Sequence, residues 1–181
     1  MDNTVYKTVV LSGGNGSALQ KLLDARFFDG VPGMALVAVV VTDRGCFAAR
    51  RAEMAGAPLC CVERSLFPSG KSFQRALEEK LDDMDADVVV VADWQDDLSE
   101  NICRRWEKHI VALNPQKTTA QICLLDREGE PGPILMEKEA SDSEDIAELT
   151  RSMLPEAVAM VCSGRLCILG RQTKMLPVLQ E

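Results

Sequence analysis

Apolar residues fall into two alternating textures along this chain. The runs at 5–11, 34–41, 87–91 and 110–113 are almost continuously hydrophobic and rich in valine, the pattern of strands buried on both faces. Between them, 17–25, 47–55 and 72–84 carry apolar residues at helical spacing, and Phe73, Leu77, Leu81 and Met84 mark one face of the last segment. Strands alternating with helices predict βαβ units. The expected class is α/β, with a mostly parallel central sheet and helices on both faces.

Beyond Pro115 the texture changes. Segments 120–125 and 133–136 predict two more strands, joined by the turn-rich stretch 126–132. Ser141 followed by Glu144 predicts a capping box opening a last helix. Ile146, Leu149, Met153, Leu154, Ala157, Val158 and Val161 form its apolar stripe as far as Gly164, with a kink expected at Pro155. After Leu169 no period stands out. With no repeat or linker in view, the expectation is one domain over 1–170 and a C-terminal tail at 171–181.

Composition narrows the function classes. Of 181 residues, 20 are Lys or Arg against 28 Asp or Glu, a formal charge of −8, which argues against nucleic acid as a partner. The hydrophobic share of 46% excludes wholesale disorder. No apolar run nears the roughly 20 residues needed to cross a bilayer, so no membrane partner is expected. The start Met1-Asp2-Asn3-Thr4 lacks a secretory pattern and reads as a mature cytoplasmic N-terminus. The seven cysteines are an odd number, mostly within apolar stretches and without C-x-x-C spacing, as expected of buried free thiols in a reducing compartment. With His109 the sole histidine, no metal site is expected.

The most informative segment runs from a strand through Ser12-Gly13-Gly14-Asn15-Gly16-Ser17 into a helix. Glycines let the backbone turn tightly and approach a ligand, while a helix N-terminus supplies unpaired N–H donors and partial positive charge. Gly14, Asn15, Gly16 and Ser17 are therefore the candidate phosphate-binding residues. The plainer reading is a capping box between Ser17 and Gln20. The dinucleotide fingerprint fails at its last glycine, where Leu19 stands, although Asp43 mimics the ribose-binding acid. Gly70-Lys71-Ser72 ends like a Walker A loop, but Ser65 stands at its first glycine, and it reads as a turn and helix start.

Gly13-Gly14-Asn15-Gly16-Ser17-Ala18-Leu19-Gln20 resembles the S-G-N-G-S-N-L-Q loop of the phosphoribosylglycinamide formyltransferase family, folate-dependent enzymes of purine synthesis. Further landmarks follow in the same order: Arg50-x-Ala52-x-x-Ala55-Gly56-Ala57-Pro58, Phe67-Pro68-Ser69, the run 87–92, Leu98-Ser99, Gly132-Pro133-Ile134, Pro155-Glu156-Ala157 and Gly164-Arg165-Leu166. The resemblance spans Val5 to about Leu169. It implies the Rossmann-like formyltransferase fold, a first loop holding the phosphate of glycinamide ribonucleotide or a similar phosphorylated small molecule, and 10-formyltetrahydrofolate as the formyl donor.

It also implies an N-x-H-P-S asparagine and histidine that stabilise the oxyanion and handle the proton, and a D-x-G-P aspartate that orients the histidine and a water. Carried over by position, Ala112 takes the asparagine's place, Asn114 the histidine's, Gln116 the serine's and Glu130 the aspartate's. The candidate catalytic residues are thus Asn114 and Glu130. His109 lies outside this register and reads as a surface or edge residue. The family's A-G-[YF]-M-R-I-L folate loop is replaced by Ala92-Asp93-Trp94-Gln95-Asp96-Asp97-Leu98, Ala18 replaces a loop asparagine, and Thr150 and Arg151 stand at a Glu-His pair. The long segment after the histidine motif is missing. The acidic loop reads as a solvated turn, Phe27 and Phe28 as core or subunit contact, and Trp94 and Trp106 as cleft or core aromatics.

The expectation is a diverged formyltransferase-like protein with weak or absent transfer. The alternatives are a surviving enzyme that leans on Glu130, a non-catalytic sensor of phosphorylated metabolites, and a dinucleotide-dependent enzyme using Asp43.

Overall fold

A computed structural model describes residues 4–141 and 145–177. Within them the expected α/β alternation forms. Strand β1 (Tyr6–Ser12) leads to helix α1 (Ser17–Phe28), then β2 (Met34–Val41), α2 (Phe47–Met54), β3 (Leu59–Cys61) and, past a single 3-10 turn, α3 (Gly70–Asp83). Next come β4 (Val88–Ala92), α4 (Glu100–Arg105), β5 (Ile110–Leu113), β6 (Thr119–Leu125), β7 (Pro131–Glu139), α5 (Ile146–Cys162), β8 (Leu166–Leu169) and β9 (Gln172–Met175).

The sheet order is β3-β2-β1-β4-β5-β6-β7-β9-β8. Pairings among β3, β2, β1, β4 and β5 are all parallel, whereas β6 runs antiparallel to both β5 and β7. The valine-rich strands occupy the middle because helices cover both of their faces. Since strand side chains alternate, Val10 joins α1, α2 and α5 in one core, while Val9 and Leu11 join α3 and α4 in the other.

Several boundaries differ from the sequence reading. Helix α3 opens at Gly70 on a reciprocal Ser69 and Ser72 capping box, rather than at Ser72. The Ser141 and Glu144 capping box rests on Glu144, which lies outside the described residues. Helix α5 opens on Asp145, whose carboxylate accepts from the Ala147 and Glu148 amides at 2.9 and 3.4 Å. Pro155 lies inside α5, which runs from Ile146 to Cys162.

The segment set apart as a tail at 171–181 is corrected through Met175. Strand β9 hydrogen-bonds to β8 antiparallel and to β7 parallel, so 172–175 belong to the sheet. Phe27 and Phe28 are not core: they are 82% and 76% exposed, edge to face on each other. Trp106 is buried and donates to the Ala86 carbonyl, while Trp94 stacks on Phe73. Cys103, Cys123 and Cys162 are buried free thiols, and Cys46, Cys60, Cys61 and Cys167 are free but only partly covered.

Candidate active site

The loops after β1 and β4 meet at the carboxyl ends of adjacent parallel strands, the edge where open α/β sheets carry ligands. The first loop turns through Gly14 and Gly16, at φ 54° and 64°. At Gly16 a side chain meets a second obstacle besides the left-handed backbone: a Cβ there would lie 2.7 Å from the Ala48 Cα, so α2 would have to shift. The bare glycine lets the start of α2 sit against the turn. Arg51 of that helix braces the loop, with Nε donating to the Asn15 carbonyl at 2.7 Å and Nη1 to Gln20 Oε1 at 2.9 Å.

Three amide donors at the head of α1, those of Gly16, Ser17 and Ala18, are already engaged. Gly16 itself is the N-cap residue, so the capping box expected between Ser17 and Gln20 is not formed. The Gly16 amide donates to the Gly13 carbonyl. Asn15 Oδ1 accepts from the Ser17 amide at 3.0 Å and from the Ser17 hydroxyl at 2.9 Å. The Ala18 amide donates to Asp93 Oδ2 at 2.7 Å, with the Ser17 hydroxyl 3.4 Å from the same oxygen. A carboxylate from the loop after β4 therefore sits at the head of α1, beside the Ser17 hydroxyl of the loop expected to hold a phosphate.

Asp93 takes this position with a left-handed backbone, φ 57°. Arg151 Nε lies 3.9 Å from its Oδ1, and Arg151 Nη1 lies 3.7 Å from Glu148 Oε2. The Lys21 ammonium, 2.6 Å from Glu148, holds that carboxyl below its ordinary range through their hydrogen bond. Charges of both signs thus ring the head of α1. Sequence reading missed the parts played by Asp93, Arg51 and Arg151; the available signal was an acid standing at the glycine of the family's A-G-[YF] loop.

The rest of the 93–97 loop is fastened down rather than freely solvated. Asp96 Oδ1 lies 3.6 Å from Arg64 Nε. Gln74 donates to the Asp97 carbonyl at 2.6 Å and accepts from the Ser99 amide at 2.8 Å. A cavity of about 210 Å³ beside the glycine turn is lined by Gly13, Gly14, Asp43, Cys46, Trp94 and Asp96. That is below the roughly 300–1,000 Å³ of drug-sized ligand pockets. Asp43 spends Oδ1 on the amide of Gly45 at 2.7 Å.

The catalytic candidates are not brought together. Asn114 directly follows β5 and is bound at both ends of its amide: Nδ2 donates to Gln121 Oε1 at 2.6 Å, and Oδ1 accepts from Gln116 Nε2 at 2.9 Å. Gln121 in turn donates to Glu137 at 3.1 Å. Ala112 is buried and brings no polar group. Glu130 is exposed in the turn between β6 and β7, its carbonyl accepting from the Asp126 amide. Asp126, which bonds Glu130, is five residues along β6 from Gln121, which bonds Asn114, a run of about 16 Å at about 3.3 Å per strand residue. Antiparallel β6 thus carries Glu130 to the far end of its hairpin from Asn114. His109 is exposed at the opposite end of β5 from Asn114.

Residues 6–116 match the family described as formyl transferase. The chain is 27% identical over 198 residues to a phosphoribosylglycinamide formyltransferase of Mycobacterium tuberculosis, a match covering 93% of this chain and 91% of that one. It is also 27% identical over 110 residues to the trifunctional purine biosynthetic protein adenosine-3 of Bos taurus, covering 60% of this chain and 11% of that protein. Among solved structures, glycinamide ribonucleotide transformylase 1 from Symbiobacterium toebii superposes with a TM-score of 0.82 at 20% identity, over 96% of this chain and 95% of that one. A formyltetrahydrofolate deformylase from Pseudomonas putida gives 0.79 at 19% identity, over 97% of this chain and 72% of that one. The two structural likenesses speak for the fold, and the matched segment, from β1 through the Asn114 turn, holds the glycine loop whose Gly16, Ser17 and Ala18 amides are met from within. The chain belongs to the formyl transferase family.

Proposed function

We propose that this protein descends from the phosphoribosylglycinamide formyltransferases and has weak or no formyl transfer to glycinamide ribonucleotide. The observation that carries the reading is the state of the β5 end. Transfer needs a donor aimed at the developing oxyanion and a group that moves a proton. Here Ala112 has nothing to donate, and the Asn114 amide is held by Gln121 and Gln116. Neither residue carries protons near neutral pH, and no imidazole or second carboxylate reaches Asn114 from the positions that resemblance assigned.

The residues present also do not suit 10-formyltetrahydrofolate. The loop that would line a pteridine brings Asp93, Asp96 and Asp97, and its Trp94 packs onto Phe73. Asp93 and Asp96 already have partners in Ala18 and Arg64, and moving carboxylates away from such partners or from water to lie beside an apolar ring system costs several kcal/mol each. No step is therefore routed through the folate. The test is direct incubation of purified protein with glycinamide ribonucleotide and 10-formyltetrahydrofolate, following the folate product. The expected rate lies about 100- to 10,000-fold below an ordinary family enzyme, the range associated with loss of general acid–base catalysis. Turnover at ordinary enzyme rates overturns the reading.

A second reading, a non-catalytic receptor for a phosphorylated metabolite at Gly14, Asn15, Gly16 and Ser17, is favoured by Arg151 standing beside the head of α1. Thermal melts with ribose phosphates and with folates separate the two. Stabilisation by phosphates alone supports the receptor, and stabilisation by folates supports the enzyme. We place either activity in the cytoplasm. Among the described residues no helix is long and apolar enough to cross a membrane.

A further inference from the structure

We propose that the face formed by the C-terminal ends of α1 and α2 is the contact between two copies of this chain, closed about a twofold axis with Phe27, Phe28 and Met54 at its centre. This contact stands whether or not the glycine loop binds an anion.

The apolar surface here is gathered rather than scattered. Met54 is 90% exposed, more than either phenylalanine, and none of the three belongs to a core. The two rings meet edge to face with centroids 5.0 Å apart. Beside them a groove of about 430 Å³ is lined by Leu23 from α1 and by Met54 and Ala55 at the end of α2. Met54 continues at helical spacing through Arg51 to Phe47, also exposed, along one stripe of α2. Single exposed apolar residues are ordinary, whereas a contiguous set marks a contact surface.

Area argues for a stable partner. A phenylalanine buries roughly 150–250 Å², so at their exposures the two rings offer roughly 240–400 Å², and Met54 and Phe47 add to it. A standard interface takes about 800 Å² from each side, a little over half of it apolar. These four side chains therefore supply most of the apolar share that one side of a stable dimer needs.

Charge argues that the partner is a second copy. Between 24–29 and 50–54 the charges are Asp24, Asp29 and Glu53 against Arg26, Arg50 and Arg51, an even balance on a chain of net −8. A twofold axis sets arginines of one copy against acids of the other, and the surplus negative charge that drives two copies apart lies elsewhere. Arg51 both lines the groove and braces the Asn15 carbonyl, so the second copy covers the brace of the first loop.

The test is sedimentation equilibrium on the full chain up to about 200 µM, well above the micromolar end of standard-size interfaces. It compares wild type with Phe27→Lys, Met54→Lys and Leu66→Lys. Leu66 is exposed on the 3-10 turn after β3 and serves as the control. Each change makes the chain less acidic, so a weaker dimer cannot come from added net repulsion. Phe27 and Met54 stand on different helices, and if one variant folds poorly by circular dichroism the other carries the test.

Wild type is expected to reach twice the chain mass with a Kd in the micromolar range or below. Phe27→Lys and Met54→Lys should each raise that Kd about tenfold or more, because a twofold contact meets every substitution twice. Leu66→Lys should associate as wild type does. A wild type that stays single at about 200 µM leaves the face to a different protein and overturns the proposal. A dimer untouched by both face variants, an equal loss in Leu66→Lys, or growth beyond two copies overturns it as well.

Discussion

Gly16 shows how one missing side chain couples two elements. Its left-handed backbone and the approach of Ala48 act together, because a Cβ would be strained and would also press on α2. Gly16→Ala is expected to lower stability by about 2–5 kcal/mol, combining left-handed strain with overpacking. Gly30 has a similar φ of 71° but nothing within 4 Å, so Gly30→Ala should cost about 1–2 kcal/mol, the strain alone. Urea unfolding of the two variants measures the difference, and equal losses would refute a tight contact with α2. The glycines were legible in the sequence because their chemistry is local. The fate of the neighbouring Ala18 amide was not, since Asp93 lies 75 positions from Ala18 and the two meet only because β1 pairs with β4. Glu130 failed for the converse reason: alignment by position named it, and strand direction carried it away from Asn114.

At the scale of elements, periodicity located the long helices and the valine-rich strands but missed β8 and β9, each four residues long. Gln172-Thr173-Lys174-Met175 has too little apolar character to announce a strand. What makes it one is tertiary: the Ile134 amide donates to the Arg171 carbonyl at 2.8 Å, and the Thr173 hydroxyl donates to the Ile134 carbonyl at 2.7 Å. Thr173→Val should cost about 1 kcal/mol, the worth of one such hydrogen bond. Deleting residues 165–177 should do more, because β7 then becomes a bare edge. A lower melting temperature together with concentration-dependent association in size-exclusion chromatography is the expected result. A truncated chain that melts and elutes like the full one would show that β9 adds nothing to β7. Helix α5 teaches the same lesson on a smaller scale, since its stripe was visible and its first residue was settled by the Asp145 carboxylate.

For the whole molecule, the alternation of side chains along β1 and β4 divides the interior into two cores, and that division was readable from the unbroken apolar runs. Its electrostatic counterpart lies in the thiols. Burial pushes Cys103, Cys123 and Cys162 up to about 11 from an ordinary 9.0. The folded chain therefore keeps these protons where the unfolded chain has released them, and stability present in full below pH 9 drains away as pH rises toward about 11. Urea midpoints at pH 8, 9.5 and 10.5 should fall in that order, and Cys162→Ala should flatten the decline. A midpoint that holds steady to pH 10.5 would contradict the assignment. The sheet order carries one more consequence, for the chain as it is made. Strand β8 leaves the ribosome before β9 yet reaches the sheet only through it, so a nascent chain halted before Gln172 has β8 synthesised and nowhere to dock. The last step of assembly is then two strands arriving as one hairpin, and a translational pause just upstream would leave β7 waiting with its rim uncovered.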